Sequence, residues 1–458
     1  MALLDSSDAR PIHFVGIAGA GMSSLAELFL RRGVPITGCD ANPDGAEDLR
    51  RLGVVVEGHD VAHVAGARAL VVTSAMKKHH PEIVRARELG VPVVRRAEAL
   101  GEVTAGRELI AIAGTHGKTT TTVMTAMALT AAALEPTVLV GGRVSAWGGN
   151  LLVGGEALYV VEADEYDRSF LALSPTVAVV NNIEADHLDI YADLADIKGA
   201  FGQFVSGARC IVLCADDAGA NSLPTPSAAE VMRFGIESGD ARVAATDLTL
   251  TPTGAAFRVM FDGDDLGEVV LGVPGRHNVL NAMAALSSGL ALGATVATMA
   301  RGLAEYSGVE RRFQALGEVA GVAVVDDYAH NPGKVAAVVA TARIAYPGRR
   351  LLVAFQPHLF TRTRDFAKEF GESLAPADAV YLTDIYPARE SPIAGVTSCL
   401  IADAVTARGG TVAWQGSRND LAAALADGAR EGDIVLTVGA GDITKTGAEL
   451  LARLGRAR

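Results

Sequence analysis

One short run of the sequence has the composition of a loop that binds the phosphates of a nucleotide. Its residues are Gly114, Thr115, His116, Gly117, Lys118, Thr119, Thr120 and Thr121. Backbone N–H groups of such a loop point at phosphate oxygens, the lysine neutralises phosphate charge, and the neighbouring hydroxyl holds Mg²⁺. Ile112 stands where the full G-x-x-x-x-G-K-[ST] pattern has its first glycine, so a turn with a chance Gly-Lys-Thr is the alternative. The apolar segment before the run and the helix-like segment after it favour a phosphate loop.

A second apolar segment, at 157–162, ends in a burst of carboxylates. An acid at the end of a strand beside a phosphate loop can coordinate Mg²⁺, a hard cation that prefers oxygen ligands. Glu162 is the best-placed candidate. The three acids that follow it are equally well explained as a solvated acidic turn; they are Asp164, Glu165 and Asp167.

Two further polar segments could complete a nucleotide site. His187 lies just past a predicted strand, where it could hold a second Mg²⁺ or its water, although a lone histidine in such a loop is more often a surface residue. The segment starting at Gly275 opens a helix and carries His277, Asn278 and Asn281, whose side chains could bind a base edge or a ribose. Asn and His also cap helices well, which is the alternative explanation.

A glycine-rich loop near the N-terminus follows the first predicted strand. Its candidate binding residues are Gly16, Gly19, Gly21, Met22 and Ser23. Glycines let the backbone approach a diphosphate at a helix N-terminus, and Asp40, at the end of the second strand, stands where a ribose-binding acid would be. Ser74, directly after the third strand, is assigned to the same site. The spacing is not G-x-G-x-x-G, so the loop alone does not separate NAD from a UDP-sugar.

Two clusters in the C-terminal third form a candidate surface for a second substrate. One includes Asp327 and His330, and the other includes His358 and Arg362. Both follow predicted strands, so their polar groups should face the same edge of a sheet. A planar guanidinium can grip the carboxylate of a free amino acid with two parallel hydrogen bonds, which suits Arg362. Taken singly, these histidines could be ordinary loop residues.

Strands and helices must alternate along most of the chain to position these groups. Short apolar runs separated by helical stretches are typical of parallel strands covered by helices, so we predict an α/β protein. Predicted strands lie at 12–17, 35–39, 69–73, 91–94, 108–113, 157–162, 176–181, 210–214, 351–355, 379–383 and 434–438. The stretch 240–272 has antiparallel character. We place domains at 1–104, 105–310 and 311–458.

Composition limits the classes of partner. The net charge of −13 argues against a broad nucleic-acid or anionic-membrane surface, and the first ten residues lack the features of an export signal. We therefore expect a soluble cytoplasmic protein without membrane or nucleic-acid partners. The four cysteines do not form two pairs with zinc spacing, which favours buried reduced thiols; they are Cys39, Cys210, Cys214 and Cys399.

Taken in order, these motifs resemble the Mur ligase family. The likeness runs from GIAGAGMSSLAEL through GTHGKTTTT, EADEYDRSFL, NIEADHLDIY, GRHNVLNAMAA, RRFQ and DDYAHNP to FQPHLFTRT. It implies a Rossmann-like N-terminal domain, a central P-loop ATPase domain with a mainly parallel sheet, and a C-terminal Rossmann-like domain. The activity it implies is ATP-dependent ligation of an amino acid, L-alanine being the expected one, to the carboxylate of UDP-N-acetylmuramate, with Mg²⁺ or Mn²⁺ as cofactor.

The resemblance also implies roles for individual residues. It assigns Lys118 to ATP and to catalysis, and it assigns Thr119, Glu162 and His187 to the metal. It places ATP-binding groups at His277, Asn278, Asn281, Arg312 and Asp327. It places His330 and Arg362 at the amino acid, and both are also assigned to catalysis, His330 as the first candidate to take the proton of the attacking amine. His358 lies in the same loop as Arg362 and is assigned to the amino acid from that position.

The sequence departs from the family pattern at Asn331, where a second histidine is usual, and at Leu359, where an arginine is frequent. Lys198 is the nearest lysine after His187 but is no convincing counterpart of the carbamylated lysine of several relatives. Three alternatives remain open at this stage. They are a related ligase that adds another amino acid or a peptide, a dinucleotide-dependent oxidoreductase, and a nucleotide-gated binding protein that hydrolyses ATP.

Overall fold

A computed structural model describes residues 3–73, 76–187, 190–388 and 390–456. The strands form three sheets that are mostly parallel, which confirms the predicted α/β class. The central strands are buried along their whole length, for example Leu351–Phe355 and Ile434–Val438. This burial explains why they appear in the sequence as continuous apolar runs rather than as alternating ones.

The first sheet contains five parallel strands in the order β3-β2-β1-β4-β5. The strands are β1 Ile12–Val15, β2 Ile36–Cys39, β3 Val56–Glu57, β4 Ala69–Val72 and β5 Val93–Arg95. The helices are α1 Ala20–Arg31, α2 Glu47–Arg51, α3 Pro81–Leu89 and α4 Arg96–Thr104. The chain leaves β1 toward β2 on one side and later returns to β4 on the other. The carboxyl ends of β1 and β4 therefore flank the crevice where open α/β sheets bind ligands.

The second sheet contains ten strands in the order β15-β14-β13-β12-β11-β10-β6-β9-β7-β8. Its strands are β6 Glu108–Ala113, β7 Thr137–Val144, β8 Gly149–Leu152, β9 Leu158–Glu162, β10 Val177–Val180, β11 Cys210–Cys214, β12 Glu230–Gly235, β13 Val243–Thr251, β14 Gly254–Phe261 and β15 Asp264–Leu271. Its helices are α5 Lys118–Ala131, α6 Leu194–Val205, α7 Ala218–Asn221, α8 Arg276–Leu290 and α9 Val296–Ala304. Strand β6 lies between β10 and β9 and is parallel to both, so three strand ends meet at the phosphate loop.

Strands β13, β14 and β15 are consecutive neighbours joined by connections of two residues each. A two-residue connection permits only antiparallel pairing, in line with the antiparallel character predicted for 240–272. The second connection is Asp262-Gly263, with φ of 49° and 95°. Positive φ at both central residues is the requirement of a type I′ turn, which Asp-Gly satisfies.

The third sheet has the order β16-β17-β21-β18-β19-β20, with β16 antiparallel and the other strands parallel. The strands are β16 Gln314–Val319, β17 Val322–Asp327, β18 Leu351–Phe355, β19 Ala379–Thr383, β20 Val412–Gly416 and β21 Ile434–Val438. The helices are α10 Pro332–Ala345, α11 Phe360–Asp365, α12 Ala367–Leu374, α13 Cys399–Ala407, α14 Arg418–Gly428 and α15 Thr444–Arg456. Both faces of this sheet are covered by apolar clusters.

Contacts between Cα atoms group the chain into two compact units. One comprises residues 1–248, 257–270 and 279–306 and includes the first sheet; the other comprises 249–256, 271–278 and 307–458 and includes the third sheet. Within the first unit, Asn150 Nδ2 donates to Ser23 Oγ at 3.0 Å, which joins β8 to α1. The division into three domains at 104/105 and 310/311 remains a prediction.

The cysteines differ in exposure. Cys39, Cys210 and Cys214 are buried, as expected, and burial raises the pKa of Cys214 to about 12. The expectation of a buried thiol is wrong for Cys399, which is exposed at the start of α13. In the part of the chain that the structure describes, no helix is long and apolar enough to cross a membrane.

The packing of α9 on α5 leads to a stability prediction. A Cβ at Gly302 would lie 2.2 Å from the carbonyl oxygen of Met127, so Gly302→Ala must separate the two helices. We expect it to lower the free energy of unfolding by about 1–3 kcal/mol, as overpacking does. Gly199 on α6 has open space around its Cβ position, so Gly199→Ala should be neutral or stabilising by up to about 1 kcal/mol. Urea unfolding of both variants tests this, and equal stability would contradict the packing argument.

Candidate active site

The phosphate loop lies between β6 and α5, and two of its glycines are required by their surroundings. Gly114 has φ +140°, and a Cβ there would lie 3.2 Å from the backbone nitrogen of Asn181. Gly117 has φ +77°, and a Cβ there would lie 2.4 Å from Oδ1 of Asn281. The positive φ would strain a side chain at either position, and Asn181 or Asn281 would crowd it, so the backbone favours glycine there.

Lys118, the first residue of α5, forms a buried ion pair. Its Nζ donates to the carbonyl oxygen of Gly114 and to Oε2 of Glu165, both at 2.7 Å. Burial alone would lower the pKa of Lys118, but the charges of Glu165 and Asp164 outweigh it and raise that pKa. The ammonium group is therefore charged at neutral pH and fixed at the mouth of the loop.

The predicted metal-binding residues lie on adjoining elements. Thr119 Oγ1 contacts both carboxylate oxygens of Glu162 at 3.0 Å, and the backbone N–H of Gly141 donates to Glu162 Oε2 at 2.7 Å. His187 Nε2 lies 3.7 Å from Glu165 Oε1, so Glu165 stands between His187 and Lys118. A hydroxyl, carboxylates and an imidazole make a donor set that suits Mg²⁺, because oxygen atoms dominate it.

The remaining loop residues hold its shape. The backbone N–H of Glu184 donates to Thr115 Oγ1 at 2.9 Å, and His116 Nε2 lies 2.8 Å from Glu184 Oε2. The backbone N–H of His116 donates to Asn182 Oδ1 at 2.7 Å. Thr120 is buried in the first turn of α5. These hydrogen bonds hold the loop against Asn182 and Glu184, in the segment that follows β10.

The three polar residues of α8 do not share one environment. Thr121 Oγ1 donates to Asn281 Oδ1 at 3.1 Å, so Asn281 supports the phosphate loop as well as facing it. The described contacts of His277 and Asn278 are not with the phosphate loop. His277 Nδ1 is 3.4 Å from Thr341 Oγ1, and Asn278 Nδ2 donates to the carbonyl oxygen of Pro274. Burial lowers the pKa of His277 to about 4, which keeps its ring neutral.

The N-terminal glycine loop is organised by Asp40. Its Oδ2 accepts from the backbone N–H of Ala18 at 3.0 Å, so this predicted ribose-binding acid also fixes the loop. Gly16 has φ +82°, and a Cβ there would lie 2.9 Å from Thr73 Cγ2. Gly19 N–H donates to Gly16 O at 3.3 Å.

The other residues assigned to the sugar nucleotide differ in accessibility. The side chain of Met22 is buried in α1, so a ligand could meet only its backbone. Ser23 is held by Asn150, and a Cβ at Gly21 would lie 3.1 Å from Nη1 of Arg96. Ser74 lies outside the described residues. A cavity of about 370 Å³ opens beside Thr73 at the end of β4, a volume in the range of small-ligand sites.

The third sheet brings His330, His358 and Arg362 together. The rings of His330 and His358 have centroids 5.8 Å apart, and Arg362 Nη1 lies 3.4 Å from His358 Nδ1. Tyr386 stacks on the His358 ring with centroids 5.8 Å apart. Arg362 is buried on α11, so its guanidinium does not extend into bulk solvent.

Asp327 and Arg312 lie near this cluster in sequence. Asp327 accepts from the backbone N–H groups of Phe313 and Ala329, each at 2.7 Å. Burial raises the pKa of Asp327, although the charge of Arg312 opposes the shift. The Arg312 guanidinium lies 5.2 Å from the centre of the Tyr328 ring. Asp327 therefore holds the residue before β16 close to the end of β17, and this structural role does not depend on a ligand.

Three residues singled out by comparison with the family pattern have well-defined surroundings. Asn331 Oδ1 accepts from the backbone N–H of Lys334 at 3.0 Å, which caps α10. Leu359 is buried with φ +72° just before α11. Lys198 Nζ donates to Ser222 Oγ on the exposed side of α6. Leaving Lys198 out of the candidate site agrees with this contact.

Sequence reasoning undervalued two residues. Glu165 is buried and bridges Lys118 and His187, yet its place in an acidic run does not separate it from Asp164 and Asp167. Tyr386 was not predicted, because it lies 28 residues beyond His358 in sequence and meets it only through a bridge between the two backbones. No local pattern indicates either contact.

Fold and site together define an α/β protein with a phosphate loop and a separate polar cluster at the edge of a third sheet. Three family models match the chain. They are the Mur ligase family catalytic domain at residues 11–108, the Mur ligase middle domain at 112–289, and the Mur ligase glutamate ligase domain at 311–441.

Relatives and solved structures agree with these matches. UDP-N-acetylmuramate–L-alanine ligases of Streptomyces avermitilis and Streptomyces coelicolor are 45% and 46% identical, over 98% of this chain and of theirs. The crystal structure of UDP-N-acetylmuramate-alanine ligase from Thermotoga maritima is 29% identical with a TM-score of 0.83, and covers 98% of this chain and 100% of that one. A murein peptide ligase from Psychrobacter arcticus is 26% identical with a TM-score of 0.72, over 97% and 98%. The chain belongs to the Mur ligase family.

The contact between Glu162 and Thr119 leads to a prediction about metal dependence. Glu162→Gln keeps the shape of the side chain but removes the charge that a hard cation requires. We expect the Mg²⁺ concentration for half-maximal ligation to rise by at least about tenfold, the effect of about 1.4 kcal/mol. Rate measured against Mg²⁺ concentration tests this. Asp167→Asn, in the same acidic run but paired with Arg95, is the control. Equal midpoints in the two variants would remove Glu162 from the metal site.

Proposed function

We propose that the protein joins L-alanine to the lactyl carboxylate of UDP-N-acetylmuramate, with ATP converted to ADP and phosphate, in the synthesis of peptidoglycan precursors. The observation that carries this proposal is the 45% identity, over 98% of both chains, to a UDP-N-acetylmuramate–L-alanine ligase. The proposal includes a cytoplasmic location. The phosphate loop and the His330–His358–Arg362 cluster supply sites for ATP and for the amino acid.

ATP is needed because a carboxylate does not acylate an amine in water. Transfer of the γ-phosphoryl group makes an acyl phosphate, from which phosphate can leave after the amine has attacked. The transfer requires alignment of the reacting oxygens and neutralisation of charge. Mg²⁺, when bound by Thr119, Glu162 and His187, would neutralise charge on the phosphates.

Lys118 can serve a phosphate without losing its present partners. An ammonium group has three N–H donors, and the described contacts direct two of them to Gly114 and Glu165. The third can be offered to a phosphate oxygen at the mouth of the loop. Glu165 thus holds the lysine in place, and the charge that Lys118 brings is already partly desolvated, which strengthens its interaction with phosphate.

His330 has the geometry to take the proton of the attacking amine. Its Nδ1 lies 2.9 Å from the carbonyl oxygen of Tyr328, and a carbonyl only accepts, so Nδ1 carries the hydrogen in this contact. The Nε2 atom is then the basic nitrogen of the neutral ring. Arg362, beside His358, would bind the carboxylate of L-alanine and present its amine to this histidine.

A ligase that adds a peptide is the second candidate. The murein peptide ligase structure supports it, with 26% identity and a TM-score of 0.72. Both values are below those of the Thermotoga maritima alanine ligase, at 29% and 0.83. L-Alanine is therefore the favoured amine substrate.

Release of phosphate, measured with ATP, UDP-N-acetylmuramate and L-alanine and with each omitted in turn, tests the function. We expect release only when all three are present, and ligated product in equal amount. Lys118→Ala should abolish release while leaving UDP-N-acetylmuramate binding by calorimetry nearly intact. Lys198→Ala, on exposed α6, should retain full activity. Release with ATP alone would indicate a nucleotide-gated binding protein, and release that requires a peptide in place of L-alanine would indicate the second candidate.

Arg362 provides the most specific prediction about substrate recognition. Arg362→Met keeps much of the buried aliphatic volume and removes the guanidinium. We expect the KM for L-alanine to rise at least about tenfold, because a lost charged hydrogen bond costs about 1.5 kcal/mol or more. The KM for ATP should change little.

Arg364, exposed on the same helix and paired with Asp365, offers a matched control. Arg364→Met should leave both KM values unchanged. Steady-state kinetics with each substrate varied in turn separates the possibilities. If Arg362→Met raised the KM for ATP and left the KM for L-alanine unchanged, Arg362 would be a phosphate ligand and the amino acid would bind elsewhere.

A further inference from the structure

A second group of metal-ligating side chains lies in the first sheet, away from the phosphate loop. His13 on β1, Cys39 at the end of β2, His63 in the segment after β3 and Glu82 on α3 each turn one ligating atom toward the others, and these atoms all lie within 4.8 Å of one another. His13, Cys39 and Glu82 are buried. Nothing in the proposed ligase reaction uses these four residues, which are called the His/Cys/Glu cluster below.

Three of the separations within the cluster are close to those of a tetrahedral zinc site, and the ligating atoms all lie within 4.8 Å of one another. Cys39 Sγ lies 3.3 Å from His13 Nε2 and 3.2 Å from Glu82 Oε1, and His63 Nδ1 lies 3.4 Å from the same oxygen. With usual zinc bond lengths, neighbouring ligand atoms of a tetrahedron are about 3.3–3.6 Å apart. Two imidazoles, a thiolate and a carboxylate are also the ligand types that Zn²⁺ prefers.

The outer partners of the two histidines are those of metal ligands. His13 Nδ1 lies 2.9 Å from Thr37 Oγ1, and His63 Nε2 lies 3.1 Å from Glu57 Oε2. In each ring the nitrogen that does not face the cluster has a polar partner, which fixes the orientation of the ring. Metal-bound histidines almost always use their second nitrogen in this way.

Hydrogen bonding alone does not account for the arrangement. The Cys39 sulfur lies within 3.3 Å of His13 Nε2, of His59 Nδ1 and of both oxygens of Glu82. A thiol has one proton and is a weak donor and a weak acceptor, so it cannot satisfy four polar atoms at once. A divalent cation would bind sulfur, nitrogen and oxygen together and replace that proton.

We propose that the His/Cys/Glu cluster is a structural Zn²⁺ site formed by His13 Nε2, Cys39 Sγ, His63 Nδ1 and Glu82. Four protein ligands close the coordination sphere, as in structural rather than catalytic zinc sites. His59 Nδ1 lies 3.4 Å from Glu82 Oε2, so a further imidazole borders the site without being one of its four ligands.

The position of Cys39 connects this site to the N-terminal glycine loop. The carbonyl oxygen of Cys39 accepts from the backbone N–H groups of Gly16 and Ile17, at 2.8 and 3.1 Å. Asp40, the next residue, holds Ala18. A metal bound to Cys39 would therefore stiffen the end of β2 on which this loop is built.

Binding of Co²⁺ tests the proposal with a readout independent of ligase activity. Protein stripped with a chelator is titrated with Co²⁺ in excess Mg²⁺, which occupies the hard-oxygen site at Glu162. We expect one equivalent of Co²⁺ to give tetrahedral d–d bands and a thiolate charge-transfer band, both abolished by one equivalent of Zn²⁺. The site at Glu162 contains no sulfur and cannot give the charge-transfer band. Uptake without that band, or no uptake, would overturn the proposal.

Cysteine variants test which thiolate gives the charge-transfer band. Cys39→Ser should remove it, whereas Cys399→Ser, at an exposed cysteine on α13, should retain it. His63→Gln, at a partly exposed ligand, should fold and weaken Co²⁺ affinity at least about tenfold. Zn²⁺ should also raise the thermal midpoint of the stripped wild-type protein, and raise that of His63→Gln by less at the same Zn²⁺ concentration, since stabilisation by a ligand falls as its affinity falls. A charge-transfer band that persists in Cys39→Ser, or unchanged affinity in His63→Gln, would contradict the assignment.

Discussion

The buried ion pair between Lys118 and Glu165 is the interaction on which the candidate active site depends. Taking two charges out of water is costly, and the cost is offset only by close pairing and by further hydrogen bonds. Both conditions are met for the lysine, because Nζ lies 2.7 Å from Glu165 Oε2 and also donates to the carbonyl oxygen of Gly114 at 2.7 Å. The pair joins the loop after β6 to the segment after β9, and through His187 to the segment after β10.

The three sheets share one topological feature but carry different chemical groups. In each, polar groups follow the carboxyl ends of parallel strands whose bodies are apolar and buried. The first sheet presents a glycine loop fixed by Asp40, the second a phosphate loop with Lys118, and the third the His330–His358–Arg362 cluster. Rigid strands thus carry groups that must be held within fractions of an ångström, while helices cover the faces.

The sequence predicted most of the fully buried parallel strands well, did not predict several others, among them β7, β12 and β20, and predicted the contacts between distant segments poorly. Buried parallel strands are continuous apolar runs, which is why 351–355, 379–383 and 434–438 match to the residue. The two-residue β3 carries too little pattern to be found. Glu165 was not separated from its acidic neighbours, and the His/Cys/Glu cluster was not found, because in both cases the contacting residues are far apart along the chain. Cysteine spacing indicates only zinc motifs whose ligands are close in sequence. The grouping of His330, His358 and Arg362 was foreseen because strand ends share an edge.

The contact of Asn281 with the phosphate loop has a consequence for the nascent chain. Thr121 and Asn281 are 160 residues apart, and Gly117 also packs against the Asn281 side chain. At about 5–20 residues per second, a ribosome needs about 8–32 s to add that length. During this interval the loop has been synthesised but lacks the amide that supports it. The growing polypeptide therefore cannot complete the contacts of the loop between β6 and α5 until helix α8 has been synthesised.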